Sequence, residues 1–292
     1  MATWLTRWTA DGSPTLERGA DGAVMHSLDG AWTQACLRYA ACVWTPDRLA
    51  GDRPEAPGGR LRLLDIGAGS GLNLAAALAW TVPRGIGLDA TCIELDPEGL
   101  EASGAWSRTG PGEPEAEIEG TQQGGEGVQG PQLPDWRPWH RMALELLGLR
   151  ATGIAAGATR GAQATLLLGD GRDIMPRMDP AGTFQGVFLD PFAPAQEGAL
   201  WEPGFVAQIA ARMAPGARLS TYSSSLAVRT SLAAAGLSVG RGPRVGGKAQ
   251  GTLGIRPGGG TPAHPWSELD PRASAKLRRR LARNSESIHR AT

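Results

Sequence analysis

The chain has 292 residues, 41% hydrophobic and 20% charged, with Lys+Arg and Asp+Glu equal at 29. That length suffices for one large α/β domain or two small ones with a real core. The balanced charge carries no global nucleic-acid signature, and Gly with Pro, about 22% of the chain, stays below the ~25–30% of general low complexity. Cys36, Cys42 and Cys92 form no CxxC pair, which argues against a disulfide scaffold or a structural zinc site and for a reducing, cytoplasmic setting. No metal site is expected. Residues 1–10 lack the apolar core of a signal peptide, and the longest apolar stretch, near 72–82, is too short for the ~20 residues that span a bilayer.

The predicted elements begin at residues 61–66, an apolar run closed by a Gly-rich turn and so a buried strand. Residues 72–81, rich in Ala and Leu, predict a helix. Residues 90–95 predict a second strand, and 97–103 a helix with Pro97 at its first position. Residues 104–134 are rich in Gly, Pro, Glu and Gln without apolar periodicity. They read as a flexible insertion whose five acids face one base, Arg108. Helix is expected again at 140–147, strand at 164–168, strand at 186–189, helix at 205–213, strand at 218–222 and helix at 226–235. Residues 237–240 and 251–255 read as a closing antiparallel pair. The alternation predicts a doubly wound, mainly parallel sheet in one domain over 1–256. Residues 257–292 read as a Gly/Pro linker and a basic tail, which after Asp270 has seven cations and one acid, Glu286. A helix over 276–283 would be basic around much of its girth.

The first motif is Leu63-Leu64-Asp65-Ile66-Gly67-Ala68-Gly69-Ser70-Gly71. The glycines let backbone approach a ligand where a Cβ would clash, at the carboxyl edge where doubly wound sheets bind nucleotides. Asp65 beside the turn suits a cationic ligand better than a pyrophosphate. A dehydrogenase turn and a purely structural turn remain open on spacing alone. The pattern resembles motif I of S-adenosylmethionine-dependent methyltransferases. Glu94 ends the next strand, where an acid can accept both ribose hydroxyls. In the methyltransferase pattern the acid after the third strand, here Asp170, accepts the adenine amino group.

The most specific run is Val187-Phe188-Leu189-Asp190-Pro191-Phe192-Ala193-Pro194, followed by Leu200-Trp201, Leu219 to Ser225, Val228-Arg229, Leu232 to Gly236 and Gly247-Lys248. With Asp11 to Leu16 and Met25 to Ala31, it resembles the bacterial tRNA wobble-uridine methyltransferases, the MnmC methyltransferase domain and its stand-alone MnmD-like relatives. The likeness covers most of 9–256 outside the insertion. It implies a Rossmann-like methyltransferase fold and methylation of the amine of 5-aminomethyl(-2-thio)uridine in tRNA. It implies a cofactor, S-adenosylmethionine, held by Asp65, Gly67, Gly69, Gly71, Glu94 and Asp170. Asp190 matches the acid beside the acceptor amine; Tyr222 and Lys248 are expected to meet substrate.

Two departures stand out. Pro191 replaces a small residue, and Ala249-Gln250 follows Lys248 where the family often has Arg and an acid. Asp190-Pro191-Phe192 also resembles the Asp-Pro-Pro-Tyr type of enzymes that methylate nucleobase amines. Another amine acceptor, or a non-catalytic binding module of the same fold, therefore stays open. Bifunctional members carry an oxidase domain, and the 37 residues after Ile255 are too few for one, so a separate enzyme is expected to make the aminomethyl substrate. His26 is as consistent with a packed side chain as with a site role, and His140 is expected at the surface. Trp201 could stack a base or fill core.

Overall fold

On the strand Arg60–Ile66, Leu61 and Leu63 pack into one core cluster, while Leu64 and Ile66 pack into another. Side chains of a strand alternate between faces, so this strand must be covered on both. The computed structural model describes residues 3–44, 60–106, 133–148, 154–159, 161–179, 183–193, 196–246, 250–258 and 267–291. Its strands are β1 (Trp4–Trp8), β2 (Pro14–Arg18), β3 (Arg60–Ile66), β4 (Gly87–Glu94), β5 (Ile154–Thr159), β6 (Ala162–Leu168), β7 (Phe184–Leu189), β8 (Met213–Thr221), β9 (Ser238–Arg241), β10 (Thr252–Ile255) and β11 (Ser267–Glu268). β1 and β2 form a separate antiparallel hairpin; the rest form one sheet in the order β11-β9-β10-β8-β7-β3-β4-β6-β5.

The middle of that sheet, β8-β7-β3-β4-β6, is parallel. The chain runs outward from β3 through β4 to β6, then returns to β7 on the other side of β3. Beyond the carboxyl ends of β3, β4 and β7, this reversal opens the crevice where such sheets hold ligands. The helices Leu72–Thr81 and Trp136–Leu147 and the helical segment 31–43 cover one face. Pro203–Arg212 and Leu226–Ala234 cover the other. The doubly wound, mostly parallel fold with its closing antiparallel pair, β9 and β10, is as expected.

Several features correct the sequence reading. β5 adds antiparallel to β6, so that edge is closed as well. The hairpin and the 31–43 helix, whose middle at Ala35–Ala40 is wound as π-helix, were not foreseen. In the expected tail, β11 pairs with β9, and the Pro271–Ala291 helix packs on Leu226–Ala234 with Leu277 buried. The limits of the insertion also move inward. Trp106 is buried, with its Nε1 donating to Thr6 Oγ1 at 2.9 Å, and the Pro134 carbonyl accepts from Trp32 Nε1 at 2.8 Å. Residues 107–132 lie outside the described residues. Among those described, no helix is long and apolar enough to cross a membrane.

Replacing residues 107–132 by a short Gly/Ser link is expected to leave the denaturation midpoint within error, since that sequence has no apolar periodicity with which to build a face to bury. Trp106→Ala should cost about 3–5 kcal/mol, the usual loss for an emptied indole site. Urea unfolding of both variants checks the boundary.

Candidate active site

The β3 turn sits hard against the end of β7. Gly67 has φ 81°, and a Cβ there would lie 2.7 Å from the Asp190 carbonyl oxygen and 2.9 Å from Pro191 N. Only glycine allows this approach, because both the conformation and the contact exclude a side chain. Gly69, at φ 54°, lines a cavity of about 390 Å³ and donates its N–H to Glu94 Oε2 at 2.7 Å. Gly71 instead caps the Leu72–Thr81 helix and lies outside the cavity wall.

Three carboxylates converge here. Asp190 ends β7, its N–H donating to the Ile66 carbonyl at 2.9 Å. Its Oδ1 accepts from the Tyr39 hydroxyl and its Oδ2 from Asn73 Nδ2 at 2.7 Å. Burial, reinforced by the Asp190 charge, pushes the Tyr39 phenol well above its ordinary pKa, so it remains a donor. Glu94 ends β4; the Asp96 N–H donates to its Oε1 at 3.0 Å. Burial raises the Glu94 pKa against these backbone donors. Asp65 is fully buried, and neither oxygen has a hydrogen-bond partner among the described residues. Burial first, then the charges of Asp190 and Glu94, push its carboxyl well upward. Such a cluster of acids favours a cationic ligand.

These features have counterparts in known proteins. Residues 138–257 match the family described as S-adenosyl-L-methionine-dependent methyltransferase. Over 248 residues, 84% of this chain, it is 32% identical to the tRNA 5-methylaminomethyl-2-thiouridine biosynthesis bifunctional protein MnmC of Cupriavidus necator, covering 33% of that protein. The protein of the same name from Caulobacter sp. is 30% identical over 86% of this chain and 38% of its own length. The chain belongs to the MnmC methyltransferase-domain family. It spans about a third of the length of these curated relatives. The crystal structure of MNMC2 from Aquifex aeolicus superposes with a TM-score of 0.68 over 95% of this chain and 76% of that one, at 24% identity, and shares the fold.

The residues of this family member fit the cofactor its family uses. Backbone without side chains at Gly67 and Gly69 leaves a cradle in the cavity wall, and the Glu94 carboxylate, with about four lone-pair sites, keeps acceptor capacity beyond its backbone donors. Of the residues singled out from sequence, Gly67, Gly69, Glu94, Asp190 and Tyr222 share the cavity. Tyr222 donates to the Pro191 carbonyl at 3.1 Å. Asp65 and Gly71 stand behind the wall. Asp170 stands at the end of β6, next to β4, outside the cavity wall. It caps the following helix through Arg172 N at 2.8 Å and pairs with the Arg172 guanidinium. Lys248 lies outside the described residues. Among the described residues no cluster suits a metal ion.

Sequence reasoning missed Tyr39 and Asn73. The available signal was composition: the chain has two tyrosines, Tyr39 and Tyr222, and the structure brings both to Asp190 and its loop. Asn73 is a polar residue in an otherwise apolar helix face. His26 lines the cavity and is buried. Trp201 fills core and props the Asp190 loop, its Nε1 donating to the Phe192 carbonyl at 3.0 Å.

His140 is buried, not at the surface as expected. It packs beside Trp106 and Trp136, with Nε2 2.9 Å from the Ser70 carbonyl, which also accepts from Ser103 Oγ. Two donors thus hold the glycine turn from behind. Burial lowers the His140 pKa to about 4, so the ring is neutral at pH 7.

Gly67→Ala is expected to lower stability by more than about 1 kcal/mol, the left-handed conformation alone costing that much. It should also abolish S-adenosylmethionine binding in calorimetry. A second test uses pH. An unfolded His takes a proton near pH 6.5, the folded His140 only near pH 4. Between those values the unfolded chain binds more protons. The stability tied to this neutral ring is therefore whole above pH 6.5 and lost as pH falls toward 4. The stability gap between wild type and His140→Phe should shrink over that window by up to about 3 kcal/mol.

Proposed function

We propose that this protein methylates the exocyclic amine of 5-aminomethyl(-2-thio)uridine at the tRNA wobble position, giving the 5-methylaminomethyl form. The observation that carries this reading is one cavity holding both the bare glycine turn and a carboxylate fixed by two side-chain donors. The names of the MnmC relatives point to the same modified uridine. S-adenosylmethionine, when bound, supplies an electrophilic methyl group on its sulfonium.

Each residue then has a role its chemistry allows. Glu94 takes the ribose hydroxyls through its remaining acceptor sites. Asp170 takes the adenine amino group, sharing its carboxylate with Arg172. Asp65 and the neighbouring acids favour the cationic end of the cofactor. An alkylammonium is not a nucleophile until it loses a proton. Asp190 accepts an N–H from the acceptor amine, orients its lone pair and takes or relays that proton. Tyr39 and Asn73 are positioning residues, because they hold the carboxylate in one rotamer. Arg38 and Gln34, also in the cavity wall, offer donors suited to uracil carbonyls. Tyr222 meets the base, and Lys248 meets the RNA backbone. The aminomethyl group is the product of a separate enzyme, and the reaction belongs in the cytoplasm, where tRNA is.

Transfer of labelled methyl to tRNA lacking this modification, followed by nucleoside mass spectrometry, tests the reading. Methylation of a different amine, with tRNA left untouched, overturns it. Asp190→Ala should lower kcat by about 10²–10⁴-fold, the range of general-base contributions, with cofactor affinity changed less than about threefold. Tyr39→Phe removes a donor that favours the charged carboxylate, so the acidic limb of its pH–rate profile should move to higher pH.

A further inference from the structure

The C-terminal helix Pro271–Ala291 sorts its residues by face. Leu277 is 8% exposed and lies against the body of the domain, where the helix packs on Leu226–Ala234. At about 100° per residue, Arg272, Lys276, Arg279 and Arg283 fall in a stripe about 60° wide, roughly opposite Leu277 and Leu281. All four are exposed. Among the described residues Arg272, Lys276 and Arg279 form no ion pair. The stripe is about 16 Å long at 1.5 Å per residue.

The helix is also tied to the sheet edge that leads back to the cavity. Asp270 caps it, accepting from Ala273 N at 2.9 Å, and β11 just before it pairs with β9 at Arg241. Arg241 Nε donates to the Glu268 carbonyl at 3.0 Å, and Arg229 and Arg241 are within electrostatic reach of each other and of Asp270. Beyond β9 comes exposed Arg244. The next residue, Val245, offers its carbonyl to Arg38, a cavity-wall residue, at 3.5 Å. Cations are therefore spaced along the contacts that link the cavity wall to the helix through β9, with Arg38 buried, Arg229 and Arg241 partly exposed, and Arg244 and the four stripe residues exposed.

We propose that this band is the track for the tRNA backbone, with Arg272, Lys276, Arg279 and Arg283 as its outer phosphate contacts. This rests on the tRNA reading above. Guanidinium forks match phosphate oxygens, and a row of exposed cations without side chains that read bases gives sequence-independent binding. A membrane surface fits less well, because a helix lying on lipid needs its apolar face free and here Leu277 spends that face on the protein.

The test replaces the four stripe residues with Gln in the full chain, keeping Leu277 and the helix. Filter binding to tRNA between about 50 and 200 mM salt should show weaker affinity. The slope of log K against log salt should be flatter by about 3, since each lost phosphate contact removes ~0.7–0.9. S-adenosylmethionine binding by calorimetry should be unchanged, which reports an intact fold and cavity. Equal slopes for the two proteins overturn the proposal. So does loss of binding to vesicles rich in anionic lipid with tRNA binding unaltered. If wild type binds tRNA with the steep slope but transfers no methyl to it, the function fails and the track stands.

Discussion

The close approach of Gly67 to the Asp190–Pro191 backbone is the constraint on which the site depends. Two strand ends separated by more than a hundred residues are in contact because a side chain is absent at that point. The Asp190 N–H donating to the Ile66 carbonyl locks the same junction from the backbone side. A wider turn would move the glycine cradle away from the carboxylate, and methyl transfer depends on in-line positioning of the groups. The junction lies at the reversal of strand order, where neighbouring loops diverge and leave room for a ligand.

Around this junction the protein gathers three carboxyl groups in a partly dry setting, where burial raises the pKa of Asp65 and Glu94. Among the described residues Asp65 has no hydrogen-bond donor, Glu94 takes backbone donors, and Asp190 takes the side-chain donors Tyr39 and Asn73. Gathering acids this way opposes folding, since each raises the cost of ionising the next. The arrangement suits ligands that bring positive charge, such as the sulfonium and amine of S-adenosylmethionine and the alkylammonium acceptor of the proposed function.

The N-terminal segment builds the remaining wall. Asp11 accepts from Thr9, Ser13 and Thr33, tying the hairpin to the start of the 31–43 helix. That helix then carries Gln34, Arg38 and Tyr39 to the cavity and to Asp190. Its π-wound middle holds Arg38 and Tyr39, and π-winding inside helices is frequent at functional sites. On the far side of the turn, the Trp106, Trp136 and His140 cluster backs the Ser70 carbonyl, so residues flanking 107–132 support the glycine turn.

The sequence by itself determined the parallel core and the ends of its strands. Apolar runs that stop at Gly67, Glu94, Gly169 and Asp190 are local signals, written in consecutive residues whose period and terminators need no partner to be read. Asp190 and the glycine turn were legible for the same reason. Tertiary structure alone decided that Tyr39 and Asn73 hold Asp190, across sequence separations of 151 and 117 residues. It alone placed His140 behind the Ser70 carbonyl, since a histidine on an amphipathic helix looks the same whether its face is wet or packed. It also decided that the tail helix gives Leu277 to the core and its cations to solvent. Helical spacing separates the two faces, but which one a protein buries depends on the surface that arrives to cover it.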